Sequence, residues 1–190
     1  RHPELHIRLE TGDPAHALDK LQNAEVDLTV AARPDRLPPT LLFKSLTVTP
    51  LVFVAPRIAC EAAELTRGAS IPWQRVPMIL AEQSLSRRRV EAWFRARGER
   101  PRIYAEVAGH EAILPMVNLG FGVGVVPRLV MEMSLLKDQV RLLDVEPPLE
   151  PYDVGLAVHR RRLAAPIVRA AWEAADELAP RRAAPRPKAR

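Results

Sequence analysis

The run Gly109-His-Glu-Ala-Ile-Leu-Pro-Met-Val-Asn-Leu-Gly-Phe-Gly-Val-Gly-Val-Val-Pro127 constrains the fold more than any other stretch of this chain. It reads as a helix opening at His110 and Glu111, a glycine stop at Gly120, and a compact apolar strand over 123–126 closed by Pro127. A helix followed directly by a short buried strand is a building block of α/β domains. Where such a helix starts at a cleft, its first N–H groups lack intrahelical partners and can hold an anion. Pro115 falls inside this helix, so either it lies in the first turn or the helix is kinked.

The same alternation extends along the chain. Leu5, Ile7 and Leu9 alternate with His6, Arg8 and Glu10, the period of a half-buried strand. Asp13 is a suitable N-cap and Pro14 a suitable first residue for a helix reaching about Asn23, and residues 26–32 form an apolar run typical of a buried parallel strand. Strands are expected over 41–46, 49–55, 78–81, 103–108, 140–143 and 154–158. Helices are expected over 60–68, from Ser84–Ser86 to Gly98, over 128–136 and, most strongly, over 163–178. Trp93 and Trp172 read as core anchors on two of them.

This order implies an α/β fold with mostly parallel sheets. Linkers at 73–77 and at the proline-rich 147–151 bracket residues 77–152 as an inserted second subdomain. Residues 1–76 and 153–179 make the first subdomain, which the chain leaves once and re-enters once. Ligands in such folds bind at strand ends, in the crevice between the halves.

Charge does not redirect this reading. Arg181, Arg182, Arg186, Lys188 and Arg190 carry five positive charges and no acid, which equals the whole net charge of +5. The remainder is close to neutral, and the Pro/Ala/Arg tail 180–190 is expected to be disordered. No apolar run approaches a membrane span and no export signal is visible, so a cytoplasmic protein without a membrane partner is expected. Cys60 is the single cysteine and reads as inert. The five histidines show no metal spacing, and Gly120-Phe-Gly-Val-Gly124 follows a helix and opens a strand, the reverse of a dinucleotide loop. No cofactor, no metal and no catalytic residue is expected, and no nucleophile–base pair stands out.

Several stretches resemble the regulatory domain of LysR-type transcription regulators. Leu21-Gln-Asn-Ala-Glu-Val-Asp-Leu-Thr-Val-Ala31, Pro50-Leu-Val-Phe-Val-Ala-Pro56 and 111–127 carry the likeness, in the family's order and spacing, over roughly residues 1–178. Ser84-Leu-Ser-Arg-Arg-Arg-Val-Glu-Ala-Trp-Phe94 and Val107-Ala-Gly-His-Glu-Ala112 resemble one branch, the activators of the acetohydroxy acid isomeroreductase gene in isoleucine and valine synthesis. The resemblance implies two Rossmann-like subdomains of the type 2 periplasmic-binding-protein kind with a ligand cleft between them, N-terminally incomplete because the family's first strand and helix are missing. It implies an organic acid effector, acetolactate or acetohydroxybutyrate, and no enzyme activity. It further implies DNA contact only through a helix-turn-helix absent from these residues, and a homodimer that becomes a tetramer at full length. A transport solute-binding protein of the same bilobed shape is the alternative.

Such an effector needs donors for a carboxylate and a few fixed polar groups. Thr11 can point its hydroxyl into the crevice from a strand end, and Ser84 and Ser86 open a helix. Arg87 or Arg88 can add a two-pronged charged contact, and His110 and Glu111 can meet a hydroxyl and a ketone. The plainer readings stand beside these: the serines only cap the helix, Glu111 only favours the helix dipole, and His110 is structural.

Overall fold

The computed structural model describes residues 6–10, 14–82 and 84–177. In chain order the elements are α1 (Pro14–Gln22), β1 (Leu28–Ala32), β2 (Leu41–Thr49), β3 (Leu51–Pro56), α2 (Glu61–Leu65), β4 (Pro77–Ala81), α3 (Leu85–Ala96), β5 (Arg102–Val107), α4 (Ile113–Asn118), β6 (Val123–Pro127), α5 (Arg128–Met133), β7 (Val140–Leu143), β8 (Tyr152–His159) and α6 (Pro166–Ala174). They build two sheets, one ordered β1-β8-β2 and one ordered β5-β4-β6-β3-β7. The chain leaves the first sheet at Pro50 and returns to it at Tyr152.

The sheets are less parallel than the alternation implied. Only β4 pairs parallel, with β5 and with β6; β3 runs antiparallel to β6 and β7, and the three-stranded sheet is antiparallel throughout. β1, expected as a buried parallel strand, is an antiparallel edge with Val30 61% exposed. β3 joins the five-stranded sheet, so strand pairing divides the chain at Pro50 rather than at 76/77. Residues 6–10 form no strand, and Ile7 and Leu9 are exposed. Alternation makes a ribbon two-sided, but a strand also needs a hydrogen-bonded neighbour, and none of the described strands pairs with these residues. The expected helix over 163–178 starts only at Pro166, the first-turn position that suits proline, and Trp172 is half-buried rather than central.

The five-stranded sheet carries apolar layers on both faces, as the strand period of two requires. On one face Phe53, Trp73, Trp93 and Phe94 pack with ring centroids 4.9 to 6.4 Å apart, mostly edge to face. On the other, Val54, Ile79 and Val126 meet Ile113, Leu114 and Val117 of α4.

Both helices that approach the cleft end where their glycines predict. Gly98 (φ +69°) and Gly120 (φ +85°) adopt the left-handed conformation and close Schellman turns, with Glu99 N–H donating to Phe94 O and Phe121 N–H to Met116 O. Pro115 is the third residue of α4, inside the first turn, where a missing N–H costs nothing. The helix therefore needs no kink there.

Candidate ligand cleft between the two sheets

The cleft is positioned by two crossovers, and each is pinned to the five-stranded side. At the first, Arg128 N–H donates to Pro50 O at 2.8 Å and Leu129 N–H to Thr49 Oγ1 at 3.0 Å, so the start of α5 grips the chain as it crosses. At the second, Arg89 and Trp93 of α3 and Arg97 at its C-cap, spaced four apart, donate to carbonyls of the return segment. Arg97 reaches Glu146 O at 3.0 Å, Trp93 Nε1 reaches Pro147 O at 2.6 Å, and Arg89 bonds the carbonyls of Glu150 and Pro151. Prolines at 147, 148 and 151 leave this segment rich in acceptors and poor in donors, which matches the donor row on the helix.

Between the crossovers lies a hollow of 290 Å³. Its apolar wall comes largely from Leu18, Val30, Ala32 and Val154 on one side and Leu129 and Val130 on the other. Its polar residues are Ser84, His110, Thr49, Tyr152 and Arg88. A larger hollow of 480 Å³ lies on the outer face of α3, sharing Leu85 and Arg88 with the cleft. Its charged groups already face one another as Arg88–Asp35 (3.6 Å) and Arg89–Glu150 (3.3 Å). The smaller hollow is the better candidate because it alone holds buried hydroxyls and an imidazole.

Ser84 caps α3: its backbone is extended and its Oγ accepts from Arg87 N–H at 3.2 Å. Ser84 Oγ also meets Ser86 Oγ at 2.8 Å, and Ser86 Oγ meets His110 Nε2 at 2.9 Å. His110 follows Gly109, whose positive φ (+82°) turns the chain back toward α3. Tyr152 sits beside Ser86, and its ring lies edge-on to His110 at 6.0 Å. Burial raises the Tyr152 pKa above the ordinary phenol value, outweighing the lowering by Ser86 and Arg89, so the phenol is neutral and keeps its hydrogen. Ser84, Ser86, His110 and Tyr152 are 5%, 2%, 5% and 4% exposed, a buried polar cluster with its partners in place.

The structure thus brings Ser84, Ser86 and His110 together and separates the rest of the expected set. Arg87 turns away from the cleft to Glu91 (2.7 Å) and Glu106 (2.5 Å). Burial works against its charge, but those hydrogen bonds outweigh it and raise its pKa. One helical step is 100°, so adjacent arginines cannot share a target, and it is Arg88 that reaches the cleft. Glu111 is exposed, folds back over Gly109 and does not line the cleft, because α4 begins only at Ile113. Thr11 lies outside the described residues, as do 1–5 and 178–190 with the expected disordered tail. Sequence reasoning missed Thr49 and Tyr152; the one available signal was that both flank prolines at the crossovers, Pro50 and Pro151.

The fold also forms a serine–histidine contact that the sequence did not reveal. It is not placed for acyl transfer, because Ser86 is buried behind the wall and contributes no surface to the cleft.

Two α/β lobes joined by two crossovers, with the cleft between them, define a bilobed binding domain of the type 2 periplasmic-binding-protein kind. The chain matches the LysR substrate binding domain over residues 1–180, and it belongs to that family. It is 41% identical over 173 residues to the HTH-type transcriptional activator IlvY of Haemophilus influenzae, and 37% identical over 175 residues to the HTH-type transcriptional regulator IlvY of Escherichia coli. Both matches cover 90% of this chain and 59% of the relative, so the chain spans about three-fifths of the length of the curated relatives it matches. Among solved structures, the regulatory domain of Synechocystis CcmR in complex with 2-PG is similar at a TM-score of 0.76 and 18% identity, over 96% of this chain and 88% of that one. The effector binding domain of QuiR in complex with shikimate is similar at 0.67 and 21%, over 83% and 74%. The transport alternative finds no support in these relatives.

Proposed function

We propose that this chain is the effector-sensing part of a LysR-type transcription activator, and that its cleft binds a small 2-hydroxy-2-methyl-3-oxo acid such as acetolactate or acetohydroxybutyrate. The likeness to the IlvY activators supports the pathway, isoleucine and valine synthesis. The observation that supports the ligand class is the make-up of the cleft: one arginine, Arg88, together with polar side chains at Ser84, His110 and Tyr152 and an apolar remainder. One cation suits one carboxylate. The polar side chains suit a hydroxyl and a ketone, and the apolar wall suits the methyl or ethyl branch.

In this reading the ligand bridges the two sides of the cleft and favours one relative angle of the lobes. It shifts that equilibrium only by the difference between its affinities for the two arrangements. DNA binding by a helix-turn-helix, assembly as a dimer and tetramer, and a cytoplasmic location belong to the same proposal. Any effect on transcription is read through those parts.

Calorimetric titration with 2-acetolactate tests the reading, with micromolar-to-millimolar binding expected and no heat for any acid of this type overturning it. Arg88→Ala is expected to weaken binding by about 10- to 100-fold, the worth of a charge-assisted hydrogen bond. Arg87→Ala is expected to leave affinity unchanged. Equal losses at both positions would place the carboxylate elsewhere.

A further inference from the structure

Three consecutive arginines lie in the first turns of α3, and the fold commits them unequally. Arg87 is held by two carboxylates, Glu91 at 2.7 Å and Glu106 at 2.5 Å, and is 15% exposed. Arg89 lies 3.3 Å from the Glu150 carboxylate, donates to the carbonyls of Glu150 and Pro151, and is 11% exposed. Arg88 is 61% exposed, and its one ion-pair partner among the described residues is Asp35, itself 67% exposed, at 3.6 Å. That separation makes an ion pair without a hydrogen bond. A guanidinium has five N–H donors, and those of Arg88 donate to no described residue.

The pair also links the two lobes. Arg88 belongs to α3, which packs on β4 and β6 of the five-stranded sheet, whereas Asp35 lies between β1 and β2 of the three-stranded one. The Asp35 loop is anchored to its own lobe, by Arg33 N–H to Asp153 O at 2.7 Å and by Arg160 Nε to Pro39 O at 2.9 Å. Arg88 lines both the cleft and the outer hollow, while Asp35 lines the outer hollow alone. Arg88 therefore stands at the lip shared by two hollows, with a carboxylate of the opposite lobe on the outer side.

We infer that Asp35 is a built-in competitor for Arg88: its carboxylate pairs with Arg88 across the lobes while the cleft is empty, and a ligand carboxylate takes its place. This deepens the functional reading above and rests on it for the ligand. A carboxylate held by two parallel N–H donors makes hydrogen bonds that the 3.6 Å pair lacks, so the exchange favours the ligand. Exposure keeps the pair weak enough to be displaced. The exchange also undoes a link between the lobes, so ligand binding is coupled to their relative angle. Asp35 thus sets how much ligand is needed without touching the ligand.

The sign of one substitution, measured calorimetrically on the whole 190-residue chain, tests this. Asp35→Asn keeps the size and removes the charge, and is expected to tighten 2-acetolactate binding by about 2- to 5-fold, the worth of an exposed ion pair. Acetoin, which keeps the hydroxyl and the ketone but has no carboxylate, is expected to bind both proteins alike. In an Arg88→Ala background, Asp35→Asn is expected to change nothing, because the competitor has lost its target. Weaker or unchanged 2-acetolactate binding in Asp35→Asn, an equal gain for acetoin, or a gain that survives in Arg88→Ala overturns the inference. A second measurement needs no ligand. In nitrogen-15 NMR of the arginine side chains, Asp35→Asn is expected to shift the Arg88 guanidinium signals and to leave those of Arg87 and Arg89 in place. Unmoved Arg88 signals overturn the latch and leave the functional reading intact. If 2-acetolactate binds neither protein, the functional reading and the exchange fall together.

Discussion

The two sheets belong to one chain but bury unequal cores. The five-stranded sheet is covered on both faces, by an aromatic cluster around Phe53 on one and an aliphatic layer against α4 on the other. The three-stranded sheet holds a small cluster of Leu21, Leu41 and Ala157, and leaves Val30 and Val48 61% and 60% exposed. Both crossovers are fastened to the five-stranded side. The difference implies a division of labour: one lobe is a rigid platform carrying most of the cleft's polar groups, and the other is a lighter wall that moves against it. Buried apolar area sets local stability, so the lighter lobe is the one whose hydrogen bonds open first.

The largest test of this asymmetry is a matched pair of truncations. Phe94→Ala removes a ring from the centre of the aromatic cluster and is expected to cost about 3–5 kcal/mol, lowering the whole unfolding transition. Leu21→Ala, also fully buried, is expected to cost less and to speed amide exchange in β1, β2 and β8 while β3, β4 and β6 stay protected. Equal exchange throughout both sheets would break the comparison.

A step smaller is Gly155→Ala. A Cβ at Gly155 would overlap the Lys44 carbonyl oxygen and the Phe43 ring across the β8–β2 pairing, which is already irregular between Ser45 and Thr47. The expected cost is about 1–3 kcal/mol, with faster exchange confined to the three-stranded sheet. Thermal unfolding together with hydrogen exchange checks both parts. Ser84→Ala, on the rigid side, removes a cap and is expected to cost about 1 kcal/mol in denaturant unfolding, with no selective loosening of β1.

The smallest effect concerns the residue joining the two lobes. Burial keeps the Tyr152 proton on the folded chain at pH values where the unfolded chain has released it. The folded pKa is the higher one, so this contribution to stability is complete below about pH 10 and is lost as pH rises beyond it. Denaturant midpoints at about pH 9 and about pH 10.5 are expected to fall less in Tyr152→Phe than in the unaltered protein. An identical fall would mean that the phenol is not held protonated by the junction.

Local elements were largely legible from residues. The span of α1, the Ser84 cap, the Gly98 and Gly120 stops, and the short apolar strands β4 and β6 follow from caps, glycines and hydrophobic period, all properties of near neighbours. Strand partners were not legible. An apolar run such as 28–32 looks the same whether its neighbour runs parallel or antiparallel, so its pattern alone suggests a buried parallel strand where an antiparallel edge forms, and the linker at 73–77 groups β3 with residues whose strands pair in the other sheet. Within the cleft, Ser84 and His110 were visible because they sit where helices begin or turns bend. Tyr152 was not, because it is 66 residues from Ser86 and no pattern in the sequence links a strand's first residue to a distant helix start (152 − 86 = 66).

By itself, the sequence determined that this is an α/β chain of the LysR substrate-binding family, in which helix α3 is capped by serine and stopped by glycine. Those outcomes depend on backbone preferences and side-chain periods within a few residues. The tertiary structure decided which strands became neighbours, that Arg88 and not Arg87 lines the cleft, and that Ser86 is buried against Ser84 and His110 behind the cleft surface. Each of these depends on which distant groups share a buried space, where every donor must find an acceptor and each hydroxyl has only one proton to give.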